Sequence, residues 1–262
     1  MRESNFWYRE RNREREKKER KSKSYNVFSK KIISGGLGMS SSTFECYSFE
    51  NCKWSNKLSS VNEKRRFATL TSAGSTSFVI GGETSSTNLV GSFIELDENM
   101  VPKITEMKNP ISRHCAVKMH DKIIFLIAGH IGKTQFSAQT LSFDTTLKNF
   151  AFNTAKLNKG RQLHSCAMFD TNTIIVVGGR DLRGGLKSVE TLDIRSSKRW
   201  SERKNLELEQ AISYAELVTS PYGNFEFYFI FEYSQTCVQR PPIGPEKSGR
   251  YAEVYMKKIS GK

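Results

Sequence analysis

Short apolar runs alternate with polar turns along this chain. Between residues 25 and 206 no stretch keeps apolar residues at the three- and four-residue spacing of an amphipathic helix. One pattern recurs, an apolar run ending in two small residues: Ile32-Ile33-Ser34-Gly35-Gly36, Phe78-Val79-Ile80-Gly81-Gly82, Phe125-Leu126-Ile127-Ala128-Gly129 and Ile175-Val176-Val177-Gly178-Gly179. Counted between the first small residues, at 35, 81, 128 and 178, the spacings are 46, 47 and 50. One Gly-Gly marks a turn, whereas four in phase mark a repeat.

Two further marks keep this phase. Tyr47 to Trp54 and Phe143 to Phe150 match in length, each a strand end, a polar turn and a bulky residue opening the next strand. Leu192-Asp193 to Trp200 and Leu96-Asp97 to Ile104 are one residue longer. Each repeat opens on Arg65-Arg66-Phe67-Ala68, Arg113-His114-Cys115-Ala116 or Arg161-Gln162-Leu163-His164, followed by a short apolar strand and a tight turn. One period therefore predicts four short strands, in the third unit near 114–119, 122–128, 138–144 and 149–153. Four strands in about 50 residues is the blade arithmetic of a β-propeller, so the expected class is all-β.

These residues resemble the kelch repeat, an apolar strand ending in Gly-Gly, then a large residue with an acidic neighbour, then a Trp. Gly160–Leu206 is the clearest copy, with His164-Ser165, Gly178-Gly179, Ser188-Val189-Glu190, Leu192-Asp193 and Trp200. The likeness covers roughly residues 25–220. It departs from the pattern at Ala128, which replaces a Gly, at Ile104 and Phe150, which replace Trp, and in the second unit, which lacks its Tyr. The resemblance implies a kelch-type β-propeller with about four recognisable blades, fewer than the family's usual six or seven and hence incomplete or divergent. Its structural positions are Gly35, Gly36, Gly81, Gly82, Gly129, Gly178, Gly179, Tyr47, Trp54, Phe150 and Trp200. The glycines are expected to free the chain where a Cβ would obstruct it, and the large residues to bury between neighbouring blades. After residue 206, Ser213–Val218 and Asn224–Phe231 read as a first and a second strand, and Ser213–Val218 is a candidate to complete the first blade.

Charge divides the chain further. The 262 residues carry a net charge of +14. Residues 1–24 hold ten Lys/Arg and five Glu, and residues 234–262 hold six Lys/Arg and two Glu. The basicity thus lies mainly outside the repeats. The organisation read from this is a charged extension over 1–24, disordered or helical, the repeat region over 25–233, and a Pro/Gly/Lys-containing tail over 234–262. The termini offer a nucleic-acid reading, with Lys17–Lys23 as the basic core. No apolar run approaches the ~20 residues of a membrane span, and the Arg/Glu-rich start lacks the apolar core of a secretory signal. The cysteines Cys46, Cys52, Cys115, Cys166 and Cys237 are odd in number and show no CxxC spacing, which predicts reduced thiols in the cytoplasm or nucleus.

Little in the chain suggests catalysis. His114 and His164 each stand 14 residues before a small pair, a recurrence that points to architecture, and neither His120 nor His130 has companions at metal-ligand spacing. A galactose-oxidase-like copper site, the one enzyme suggested by fold analogy, cannot be assigned, so no enzyme, cofactor or metal is expected. The loops remain. In kelch adaptors the loops after Gly-Gly and at the repeat openings gather on one face and bind a partner protein. Here they carry Arg65, Arg66, Arg113, Arg161, His130, Arg180, Asp181 and Arg183. Arginines arrayed round a rim suit an acidic peptide, because a guanidinium pairs bidentately with carboxylates. The alternative role for these arginines is to hydrogen-bond backbone carbonyls between blades. The family also implies, as a context, substrate recognition in a ubiquitin ligase adaptor.

Overall fold

The computed structural model describes residues 65–219, apart from 86, 98, 100, 121, 133–135 and 197–198, together with the strand segments Lys30–Ser34, Phe44–Ser48, Lys53–Ser55, Phe227–Glu232 and Ala252–Lys257. It is all-β, built from several antiparallel sheets; among the described residues the only helical element is a short 3-10 turn at Lys204–Leu206. The chain divides into two compact units, residues 1–33 with 44–57 and residues 34–43 with 58–262. In the smaller, Tyr47 and Trp54 are register partners on neighbouring strands. Gly35, Gly36 and the 1–24 extension lie outside the described residues.

The larger unit contains three four-stranded meanders that repeat one another. The first runs Thr69–Ala73, Thr76–Ile80, Ser92–Leu96 and Pro102–Glu106. The second runs Cys115–Met119, Ile123–His130, Phe136–Asp144 and Asn149–Lys156. The third runs Ser165–Met168, Thr173–Val177, Val189–Asp193 and Ser201–Glu202. The strands of the second meander fall within about three residues of their expected positions. A fourth sheet pairs Ala215–Thr219 with Phe227–Glu232, and Phe227–Glu232 with Ala252–Lys257. Two expectations change here. The segment 215–219 starts its own sheet and does not complete that of residues 30–55, and the region read as a tail supplies a strand. In Ala252–Lys257 the alternation Val254, Met256 against Glu253, Tyr255 is strand-like, but it follows a Pro/Gly-rich stretch that masked it.

Each of the three meanders has a second strand that is buried at every residue after its first rather than alternately, the pattern of a sheet covered on both faces. Ile124, Phe125, Leu126, Ile127 and Ala128 are all buried. Between the first and second sheets an aromatic cluster forms, with Phe143 edge-on to Phe78 (5.4 Å) and Phe93 (4.9 Å) and stacked on Phe150 at 4.5 Å. Between the second and third lie Val117, Phe125, Ile127, Ile174, Val176 and Trp200. Trp200 is buried, and its indole N–H donates to Thr140 Oγ1 across the two sheets (3.1 Å). Burial of the bulky late-repeat residue holds for Trp200 but not for Ile104, which is 51% exposed.

The glycine pairs join one sheet to the next. The N–H groups of Gly82, Gly129 and Gly179 donate to the carbonyls of Ile111, Arg161 and Ile212, each in the opening segment of the following sheet. The second glycine also lies against its own sheet's opening segment. A Cβ on Gly129 (φ +99) would sit 2.7 Å from both Ser112 O and His114 Cβ, and one on Gly179 would sit 2.7 Å from His164 Cβ. Gly129→Ala is therefore expected to cost about 1–3 kcal/mol, read as a lower urea midpoint at unchanged m-value.

Candidate functional site

The opening segments meet at one end of these sheets. Phe67, Arg113, Leu163 and Tyr214 occupy the same place in successive repeats, all left-handed with φ between 54 and 61. The N–H of Arg113 donates to Phe67 O, that of Leu163 to Arg113 O, and that of Tyr214 to Leu163 O. The Phe67 and Tyr214 rings lie 6.4 Å apart. Arg66 therefore matches Ser112 and Gln162 rather than Arg113. The first sheet's opening hairpin pairs Ala73 with Thr76, whereas the second pairs Met119 with Ile123, and the one-residue difference shifts the apparent phase.

Each opening segment bridges to the residue after its own small pair, Arg66 to Glu83, Ser112 to His130 and Gln162 to Arg180. A charged cluster follows. The Glu83 carboxylate is wholly buried and accepts from Arg113 Nη2 (2.6 Å), Arg113 Nε (3.0 Å) and Ser112 Oγ (2.9 Å). Arg66 Nε lies 3.2 Å from the same carboxylate and His130 Nδ1 3.8 Å. Arg113 also donates to Gln162 Oε1 at 3.2 Å. Both guanidinium groups sit over the Phe67 ring, at 5.5 and 5.0 Å. Two arginines thus share one carboxylate, which leaves a positive charge in excess. Arg66 and Arg113 keep 35% and 18% of their side chains exposed.

Arg180 and Arg183 are exposed, on the hairpin Arg180–Gly185, and Leu182 at its tip is 74% exposed. Asp181 serves the hairpin itself, its Oδ1 accepting from the N–H groups of Arg183 and Gly184. His130 is buried.

Arg65 and Arg161 do not belong to this rim. Arg161 is 0% exposed and donates to Gly178 O (3.0 Å), to Ser188 Oγ (3.2 Å) and to Glu190. Arg65 repeats this in the first sheet, donating to Gly81 O (3.1 Å), Ser92 O (3.2 Å) and Ser92 Oγ (2.8 Å). Both guanidiniums tie the first small residue of their own sheet to a serine at the start of its third strand. These are backbone-carbonyl bonds as expected of the alternative role, but they are made within a sheet and not between neighbouring ones. Burial pushes the Glu190 carboxyl up, against the pull of Arg161 and of the Asn158 amides.

No protein-family model matches the chain, and no curated protein does. Among solved structures, that of YjhT is similar, with a TM-score of 0.63 at 11% identity, covering 77% of this chain and 73% of that one. At this identity the likeness is one of fold alone.

Sequence reasoning places Glu83 at the start of a partner-facing loop, Glu83–Asn88, but does not single out its side chain, which organises the cluster. Its position after Gly-Gly matches His130 and Arg180, so the place was marked but the side chains differ in each copy. The expectation of reduced thiols fails for two of the cysteines: Cys115 and Cys166 form a disulfide between the second and third sheets, with Cα atoms 5.9 Å apart. Among the described residues no group of three or more His, Cys, Asp or Glu is arranged to hold a metal, and no helix is long and apolar enough to cross a membrane.

Proposed function

We propose that the chain is a kelch-type β-propeller, divergent or incomplete, with about four blades, acting as a non-enzymatic protein-interaction module. What supports the propeller reading is the succession of like meanders joined by glycine N–H bonds to the next opening segment. The face carrying the opening segments binds an acidic segment of a partner protein. The observation that carries this is the excess cation around Glu83: Arg66 and Arg113 share one carboxylate, remain partly exposed, and adjoin the Arg180–Gly185 hairpin through Gln162. Substrate recognition within a ubiquitin ligase adaptor is one setting for such a module.

The test uses variants that leave the buried groups intact. A fluorescein-labelled peptide with a run of Asp and Glu is expected to bind the wild-type protein more weakly as salt rises. Arg180→Glu with Arg183→Glu should weaken it by about tenfold or more, since like charges replace unlike ones at the rim. Equal affinity in wild type and the reversed variant, or no binding by either, overturns the acidic-segment reading.

A further inference from the structure

We infer that the Cys115–Cys166 pair is a redox-responsive cross-link that sets the order of the rim. The disulfide joins the first strands of the second and third sheets, which otherwise belong to separate hydrogen-bonded sheets. Its two ends lie next to the groups through which those sheets touch at the rim. Arg113 precedes Cys115 by two residues and Gln162 precedes Cys166 by four, and these side chains are bonded to each other. Leu163, three residues before Cys166, donates its N–H to Arg113 O at 2.9 Å. Both Arg113 and Leu163 hold left-handed backbone, an unfavourable state for residues with a Cβ that the surroundings must enforce. Phe67 and Tyr214 hold the same backbone through packing and hydrogen bonds alone, so a covalent tie two residues from Arg113 and three from Leu163 adds to that enforcement, and its loss removes the addition.

Cys166 is nearly buried and Cys115 half-buried, so Cys115 is the sulfur a small reagent meets first. Formation proceeds by exchange with a low-molecular-weight disulfide such as oxidised glutathione. The Cys115 thiolate attacks one of its sulfurs and expels a glutathione thiolate. The Cys166 thiolate then attacks the Cys115 sulfur of the mixed disulfide and expels the second. The protein gives up two electrons, and its two thiol protons end on the two glutathione thiols. Excess reduced glutathione runs the steps backwards.

The experiment equilibrates the full chain in glutathione buffers of graded redox ratio, then combines non-reducing peptide mapping with amide hydrogen exchange. The Cys115–Cys166 linkage is expected to appear and vanish across the series. The Leu163 and Arg113 amides should exchange at least about tenfold faster in the reduced protein, while Cys115→Ser/Cys166→Ser should exchange alike in every buffer. Both thiols remaining free in fully oxidised buffer overturns the inference, and so does equal exchange in the two states. The step from rim order to partner binding rests on the acidic-segment reading. Titrating the labelled peptide in both redox states tests that step alone, since mapping and exchange need no ligand.

Discussion

Arg161→Met is expected to destabilise the folded chain by about 3–5 kcal/mol, the cost of stranding one member of a buried ion pair. Glu190 is 1% exposed, and without Arg161 its carboxylate would keep only the N–H and the Nδ2 of Asn158. Gly178 O and the Ser188 hydroxyl would lose their donors in the same step. Folded domains are held by about 5–15 kcal/mol, so the variant should lose a large share of its stability. The double variant Arg161→Met/Glu190→Leu should recover much of the loss, because a buried pair replaced by apolar residues of similar volume is often neutral. Arg180→Met, on the exposed hairpin, should stay within about 0.5 kcal/mol of wild type. Chemical denaturation of the four proteins makes the comparison. If Arg161→Met costs no more than Arg180→Met, the buried role is wrong.

That contrast between two arginines shows where sequence reading succeeds and where it stops. The repeat phase, the strand order of each meander and the burial of Trp200 follow from spacing, because burial on both faces writes long apolar runs ending in glycine. Arginine identity carries no such information. Arg65, Arg66, Arg113 and Arg161 look alike in the opening segments, yet two are sunk and two reach the rim. A usable signal exists in the aligned column. Arg65 and Arg161 share their place with Ile111 and Ile212, whose carbonyls accept from the preceding sheet's glycine as that of Arg161 does. An interior position that alternates Arg with Ile implies a guanidinium whose donors are met inside. Seeing this requires the hairpin lengths, since the shorter Gly74-Ser75 turn displaces the column by one residue.

The disulfide carried a similar signal. Cys115 and Cys166 are 51 residues apart, about one repeat, which places them on equivalent strands of adjacent sheets. An odd total and the absence of CxxC spacing concealed this, because both tests treat the cysteines as one set rather than by repeat position. Glu83 stayed hidden for a physical reason of another kind. Its value depends on two cations from different openings, and no single repeat contains the cluster.

Acid should weaken this protein well above the carboxylate range, and His114 and His164 are the cause. Burial holds both rings down to about 3 from their ordinary 6.5, with the Arg161 charge adding to the effect at His164. Neutral imidazole suits their surroundings. His114 Nε2 lies 2.8 Å from Thr69 Oγ1, and the Cβ atoms of both histidines fill the space opened by Gly129 and Gly179. In the unfolded chain the rings take up protons below pH 6.5, whereas the folded chain excludes them until about pH 3. The stability they confer is therefore complete above 6.5 and falls steadily through that window. By linkage each ring accounts for a loss of about 2 kcal/mol between pH 7 and pH 5, hence about 4 kcal/mol together. Asp144 and Asp193, held low by the N–H and hydroxyl groups of their turns, lose their contribution only at more acid pH. Glu190, pushed up by burial, works in the opposite direction, since its proton is favoured in the folded state. The measurement is a series of urea midpoints from pH 7 to pH 5 for wild type and for His114→Gln/His164→Gln. The double variant should start less stable at pH 7, for want of packing, and then lose about 4 kcal/mol less on acidification. A variant whose midpoint falls as steeply as that of the wild type would show that these rings titrate alike in both states, and their burial would then have no bearing on acid stability.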